Sequence, residues 1–155
     1  VHPRMWQKLV PVAQALNIKL LRIDVGRPMD DALPAAFEMV LRAKAGAIFV
    51  LPDEPQFLTR RVEIVAFAAK HRLPAFYGGR EAVDEGGLMS YGENLRTAYR
   101  NAASYVTKVM RGATPSDLPV SQPTKFELVI NMKTAQTLGI TIPQTVLLSA
   151  DEVIE

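Results

Sequence analysis

"GGLMSYGENLRTAYRNAASYVTKVMRG", residues 86–112, decides how this chain is read. Two glycines lead into a short apolar run, a Ser-Tyr-Gly corner follows, and a long amphipathic segment comes next. Leu95, Ala98, Tyr99, Ala102, Tyr105, Val106, Val109 and Met110 recur at three- and four-residue spacing, which is one face of a helix. Arg96, Arg100, Asn101, Ser104, Lys108 and Arg111 fall on the other face, and Gly112 is the residue type that ends a helix. Strand, tight corner and helix in succession is the unit from which α/β domains are built.

The same alternation runs outward in both directions. Trp6, Leu9, Val10, Ala13 and Leu16 have helical spacing, with Pro3 in the first turn and a bend expected at Pro11. "IKLLRIDV" (residues 18–25) is rich in branched side chains and is expected to be a strand. Leu33, Ala36, Phe37, Val40 and Leu41 form the next helical face, with Asp31 placed to cap it and Pro34 in its first turn. "AIFVL" (residues 47–51) is continuously apolar, as in a parallel strand covered on both faces. Leu58, Val62, Val65 and Ala69 stripe another helix, and "PAFYG" supplies a short strand. Beyond residue 112, "ATPSDLPVSQPTK" is a proline-rich connector without periodicity. "FELVI" then reads as a strand, "NMKTAQTLG" as a short helix capped by Asn131, and the remainder as a compact tail. The expected fold is α/β: a three-layer, mostly parallel, doubly wound sheet. In the common order of such sheets the first strand lies inside, yet this chain opens on a helix, so either another chain fills that place or the strand order is rearranged.

Composition narrows the function. The 155 residues suit a single domain, and 48 % hydrophobic with 22 % charged residues is a globular balance. A net charge of +2, from 18 scattered Lys and Arg residues, gives no basic track for nucleic acid. The apolar runs fall far short of the roughly 20 residues that span a bilayer. "VHPRMWQKLV" shows no secretion leader, and Val1 in place of Met reads as the start of a processed or trimmed segment. Without cysteine there are no disulfides, thiolate metal sites or thiol catalysis.

In open α/β sheets ligands bind beyond the carboxyl ends of the strands. Those ends are expected at "DVGRP", "LPDEP", "YGGRE" and "SYGEN", which supply Asp24, Arg27, Asp53, Glu54, Tyr77, Gly78, Gly79, Arg80, Ser90, Tyr91 and Glu93. Two phenol rings, carboxylates, an arginine and glycine-exposed amides suit a small polar molecule with an apolar part. Each residue also has a plainer role. Asp53 can cap the helix that follows, Arg80 can pair with Glu81 at the surface, and the tyrosines can be ordinary half-buried aromatics. His71, between Lys70 and Arg72 at a helix end, reads as a partner of the helix dipole, and His2 lies at the chain start. No nucleophile–histidine pair, metal-ligand spacing or glycine-rich phosphate fingerprint is present, so no catalytic residues, no metal and no cofactor are expected.

"PAFYGGREAVDEGGLMSYGENL", "LPVSQPTKFELVIN" (residues 118–131) and the terminal "ADEVIE", with "LPDEPQF" and "HRLPAFYG", resemble the ABC transporter substrate-binding protein family that includes tryptophan-type binding proteins of bacteria. The resemblance covers essentially the whole chain and corresponds to the C-terminal half of such proteins, and it implies that the chain starts just after the first strand of the second lobe, so that this strand is missing. It implies the two-lobed periplasmic fold related to sugar and branched-chain amino-acid binders, with lobes of about 100–150 residues each. Residues 1–91 would be the core of one lobe, 92–119 the hinge-crossing helix and connector, and 120–155 the return strand and tail. The ligand-binding set implied is Asp53, Tyr77, Gly78, Arg80, Ser90 and Tyr91. In an amino-acid-like solute, Asp53 would meet the ammonium, Arg80 or backbone amides the carboxylate, and Tyr77 or Tyr91 the side chain. The partners implied are that solute and a membrane ABC permease, in the periplasm or another extracytoplasmic space, with no enzymatic step. The helix over residues 95–110 would face the other lobe, and a fragment exposing that face is expected to pair with a second copy. The alternative is a ligand-sensing regulatory domain of the same fold.

Overall fold

The computed structural model describes residues 3–26, 29–51, 55–120, 123 and 125–155. Five strands form one sheet in chain order: β1 (Ile48–Val50), β2 (Ala75–Tyr77), β3 (Met89–Glu93), β4 (Phe126–Asn131) and β5 (Glu152–Ile154). β1, β2 and β3 run parallel, β4 returns antiparallel to β3, and β5 lies parallel to β4. The register sets Tyr77 beside Ser90 and Ser90 opposite Val129, so these three share a face; Phe76, Met89 and Ile130 share the other. Val129 and Ile130 are both fully buried, which makes β4 a strand covered on both sides.

Around this sheet lie α1 (Pro3–Ala15), α2 (Met29–Arg42), α3 (Pro55–Thr59), α4 (Arg61–Lys70), α5 (Arg80–Asp84), α6 (Leu95–Met110), α7 (Met132–Leu138) and α8 (Gln144–Leu148). Leu33 of α2, Ile64, Val65 and Ala68 of α4, and Ala82 of α5 close over Ala75 and Tyr77. On the Ile130 side, Ala135 of α7 and Ile142 pack with Leu88, and Val146 and Leu147 of α8 lean on that cluster. The result is the α/β, mostly parallel sheet between helical layers that the alternation implies. Local caps follow the sequence as well. Asn94 accepts from the Thr97 amide at 3.1 Å to start α6, and Asn131 accepts from Thr134 at 3.0 Å to start α7. Gly112 and Gly139 follow α6 and α7 with φ of +97° and +73°. No helix among the described residues is long and apolar enough to cross a membrane.

Several expectations are corrected. Residues 18–25 form no strand; Ile18, Leu20 and Leu21 stand exposed, and only Val25 reaches the α2–α4 cluster. Branched residues favour a strand only where a neighbouring ladder and a covered face are at hand, and here neither is. β1 is the edge of the sheet, so the run over residues 47–51 is not covered on both faces: Phe49 is half exposed. α2 begins at Met29, which places Asp31 inside the helix instead of before it, and Pro34 in the interior instead of the first turn. The helix expected through Leu58, Val62, Val65 and Ala69 is broken at Arg60, and its buried face is Ile64, Val65 and Ala68. The restart turns Leu58 and Val62 out to solvent.

Candidate functional site

The carboxyl ends of β2 and β3 meet in a corner that only glycine allows. A Cβ on Gly92 would run into the carbonyl oxygen of Gly78; at the other, amino end of β3, one on Gly87 would come within 2.7 Å of both the Ala82 carbonyl oxygen and the Tyr77 ring. Beneath this contact Tyr77 and Ser90 sit side by side in the ladder, 3 % and 1 % exposed. Among the described residues neither the Tyr77 hydroxyl nor Ser90 Oγ has a hydrogen-bond partner. Burial pushes the Tyr77 phenol up to about 12, so it stays protonated at any physiological pH. Both side chains therefore shape the corner from inside.

Arg80 opens α5 directly after the glycines. Its guanidinium donates to both oxygens of Glu152, at 2.7 and 3.1 Å, and to both oxygens of Asp84, each at 3.3 Å. The expected pairing with Glu81 is thus replaced by a fork onto β5, because α5 sits on the same sheet face as the Glu152 side chain. The guanidinium in turn holds the Glu152 carboxyl below its usual value. This clamp ties the Gly78–Gly79 turn to the far strand of the sheet. Asp24 pairs with Arg22 at 2.7 Å. Asp53, with Glu54 and Arg27, lies outside the described residues.

Tyr91 behaves differently from its neighbours. Pleat alternation turns it to the opposite face, where it is 54 % exposed and stacks on Phe126, with ring centroids 5.7 Å apart and planes inclined at 25°. Glu93 stands directly opposite Phe126 in the β3–β4 ladder. Next to them, Asn94 Nδ2 donates to Glu127 Oε2 at 2.8 Å. The sequence reading missed Phe126; its signal was the period-two match between "MSYGE" and "FELVI", which an antiparallel pairing sets face to face.

α6 leaves this corner with no buried residue; Tyr99 and Met110 are largely exposed. A groove of about 590 Å³ runs between its Ala98, Ala102, Tyr105 and Val109 and the connector residues Leu118 and Val120. The Tyr105 hydroxyl donates to the Pro119 carbonyl at 2.7 Å and pins the connector to the helix. Among the described residues no three His, Asp or Glu side chains are grouped as metal ligands. His71 closes α4 and its ring tilts against Phe67 at 4.7 Å.

Comparison with known proteins gives these features a setting. The chain is similar to the ABC domain from Streptococcus pneumonia solved in complex with L-Trp, with 26 % identity and a TM-score of 0.82 over 97 % of this chain and 50 % of that one. It is similar to a conserved domain protein from Vibrio cholerae O1 biovar eltor, at 25 % identity and a TM-score of 0.80 over 97 % of this chain and 49 % of that one. A ligand-free, open substrate-binding protein with adhesive properties from Clostridium difficile shares the fold, with a TM-score of 0.59 at 16 % identity, covering 96 % of this chain and 48 % of that one. The chain thus spans about half the length of the solved structures it matches. No curated protein sequence matches it significantly. The family model for ABC transporter substrate binding proteins matches residues 4–154. From end to end, then, this chain belongs to the ABC transporter substrate-binding protein family.

Proposed function

We propose that the chain is the C-terminal lobe of a solute-binding subunit of a bacterial ABC importer. The lobe would close with a second lobe around an amino acid and hand it to a membrane permease outside the cytoplasm. The observation that supports this best is the similarity, over 97 % of the chain, to a structure holding L-Trp. The division proposed above stands with it: residues 1–91 as lobe core, 92–119 as the hinge-crossing helix and connector, 120–155 as the return. The chemistry is binding by lobe closure, with no covalent step and no cofactor.

In this reading Gly78, Tyr91 and Asp53 touch the solute, while Tyr77 and Ser90 support the corner from below. The backbone amides of the Gly78–Gly79 turn are better placed than Arg80 to meet a carboxylate, since Arg80 already serves Glu152 and Asp84. The exposed face of α6 is where the second lobe packs; a chain lacking that lobe would pair with a second copy through it. Native mass spectrometry of the gently purified full-length protein tests the reading. A small mass retained on the protein and lost on denaturation is expected. A protein that arrives empty, and gains no thermal stability from amino acids, peptides or organic acids, would overturn it.

A further inference from the structure

α6 carries a surplus of positive charge that its surroundings do not answer. Its sequence, LRTAYRNAASYVTKVM, holds Arg96, Arg100 and Lys108 and no acidic residue, and Arg111 follows directly. All four side chains are exposed. Glu152 feels the charge of Arg96, but Arg80 already holds that carboxylate. Among the described residues Arg100, Lys108 and Arg111 take part in no ion pair; Lys108 lies over the Tyr105 ring, 5.3 Å from its centroid. A net charge of +2 for the whole chain conceals this local surplus.

Helical geometry puts these three cations within an arc of about 80° and along about 16 Å of the helix. Ala98, Ala102, Tyr105 and Val109, which line the groove, lie on the other side. Between the cations, Ser104 and Thr107 turn their hydroxyls back onto the Asn101 and Ala103 carbonyls. Lys108 and Arg111 also complement the helix dipole at its carboxyl end; Arg100, in the middle of α6, has no such role. A docked protein face calls for shape complementarity and matched charges. This convex row forms no pocket and carries one sign of charge. A flat, fluid layer of anionic headgroups asks for nothing more than that surplus.

We propose that the Arg100–Lys108–Arg111 face of α6 lies against an anionic phospholipid surface. The apolar stripe of α6 stays available to the second lobe. Each Lys or Arg held near such a surface raises partitioning roughly fivefold, and three together roughly a hundredfold, an effect that salt screens.

The test is co-sedimentation of the full-length protein with vesicles of phosphatidylcholine, alone or mixed with phosphatidylglycerol. It compares wild type, Arg100→Gln, the triple variant Arg100→Gln/Lys108→Gln/Arg111→Gln, and the charge-preserving Arg100→Lys. The wild type is expected on the mixed vesicles alone, and to leave them in high salt. Arg100→Gln should lose roughly fivefold in partitioning and the triple variant roughly a hundredfold, while Arg100→Lys keeps the wild-type value. Thermal melts show whether each variant is folded. Equal binding to both kinds of vesicle, or mixed-vesicle binding that the triple variant retains, places the contact elsewhere and overturns the inference. So does a wild type that ignores the mixed vesicles; if the detergent-solubilised permease then captures it through the same three residues, the face belongs to a protein partner. None of these outcomes involves the solute, so the solute-binding reading stands or falls separately.

Discussion

Substituting alanine for Gly92 and, separately, for Gly79 tests the account of the corner, because the two glycines lie close together but meet different obstacles. A Cβ at position 92 would collide with the Gly78 carbonyl oxygen and lie 2.8 Å from its carbonyl carbon. Both are backbone atoms, held one residue beyond the Tyr77–Ser90 rung, so relief requires opening the end of the β2–β3 pair. Overpacking of a closed site costs about 1–3 kcal/mol, and an obstacle that cannot rotate away puts Gly92→Ala near 3 kcal/mol. For a chain of this size that is a fall in Tm of roughly 6–12 °C. A Cβ at position 79 meets only the carboxylate oxygen of Glu81 at 2.7 Å, the far end of a flexible side chain. Its backbone, at φ −149° and ψ 145°, suits any residue. Gly79→Ala should therefore stay within about 0.5 kcal/mol of wild type, the reduced freedom of the unfolded chain offsetting the small adjustment. Urea unfolding followed by circular dichroism measures both. Equal costs for the two variants, or a harmless Gly92→Ala, would refute the reasoning.

Three more consequences concern stability and pH. Ile130 is fully buried in the α7–α8 cluster, and Ile130→Ala should cost about 2–5 kcal/mol in the same unfolding assay. Glu152 has its pKa depressed below its ordinary 4.5 by Arg80, so its contribution is present above pH 4.5 and disappears as the pH falls through the folded value. The pair is only partly buried and within reach of solvent, so Glu152→Gln should cost no more than about 1 kcal/mol at neutral pH, with the two unfolding curves converging in acid. Tyr77 works in the opposite direction. The unfolded phenol ionises near 10 and the folded one near 12, so stability should fall by about 2 kcal/mol as the pH rises across that interval. Tyr77→Phe should abolish this alkaline loss and cost little at neutral pH, because the hydroxyl it removes has no partner among the described residues.

Much of the sheet was legible because its residues are buried by near neighbours in sequence. β2 and β3 are short apolar runs closed by glycine-marked corners, and Asn94 and Asn131 stand where a helix needs an acceptor. The failures share one cause: the outcome depended on what lay across from the residue. Residues 18–25 have strand composition but no ladder to join, and Phe49 has an open side because β1 is the edge. The break at Arg60 rotates a stripe that spacing alone would have kept in line. At the candidate site, the sequence brought Tyr77, Gly78, Arg80, Ser90 and Tyr91 to one corner. It could not say that Tyr77 and Ser90 point inward while Tyr91 points out, since that follows from the pleat and register of three strands. Nor could it find the Arg80–Glu152 fork or the Tyr91–Phe126 stack, whose partners are 72 and 35 residues apart in the chain.

The central claim is that this family member holds its solute at the carboxyl ends of β2 and β3. A crystal structure of the full-length protein grown with L-tryptophan tests it most directly. The account predicts the amino acid against the Gly78–Gly79 turn and the Tyr91 ring. A ligand seated away from both, with that ring covered by protein, would contradict it.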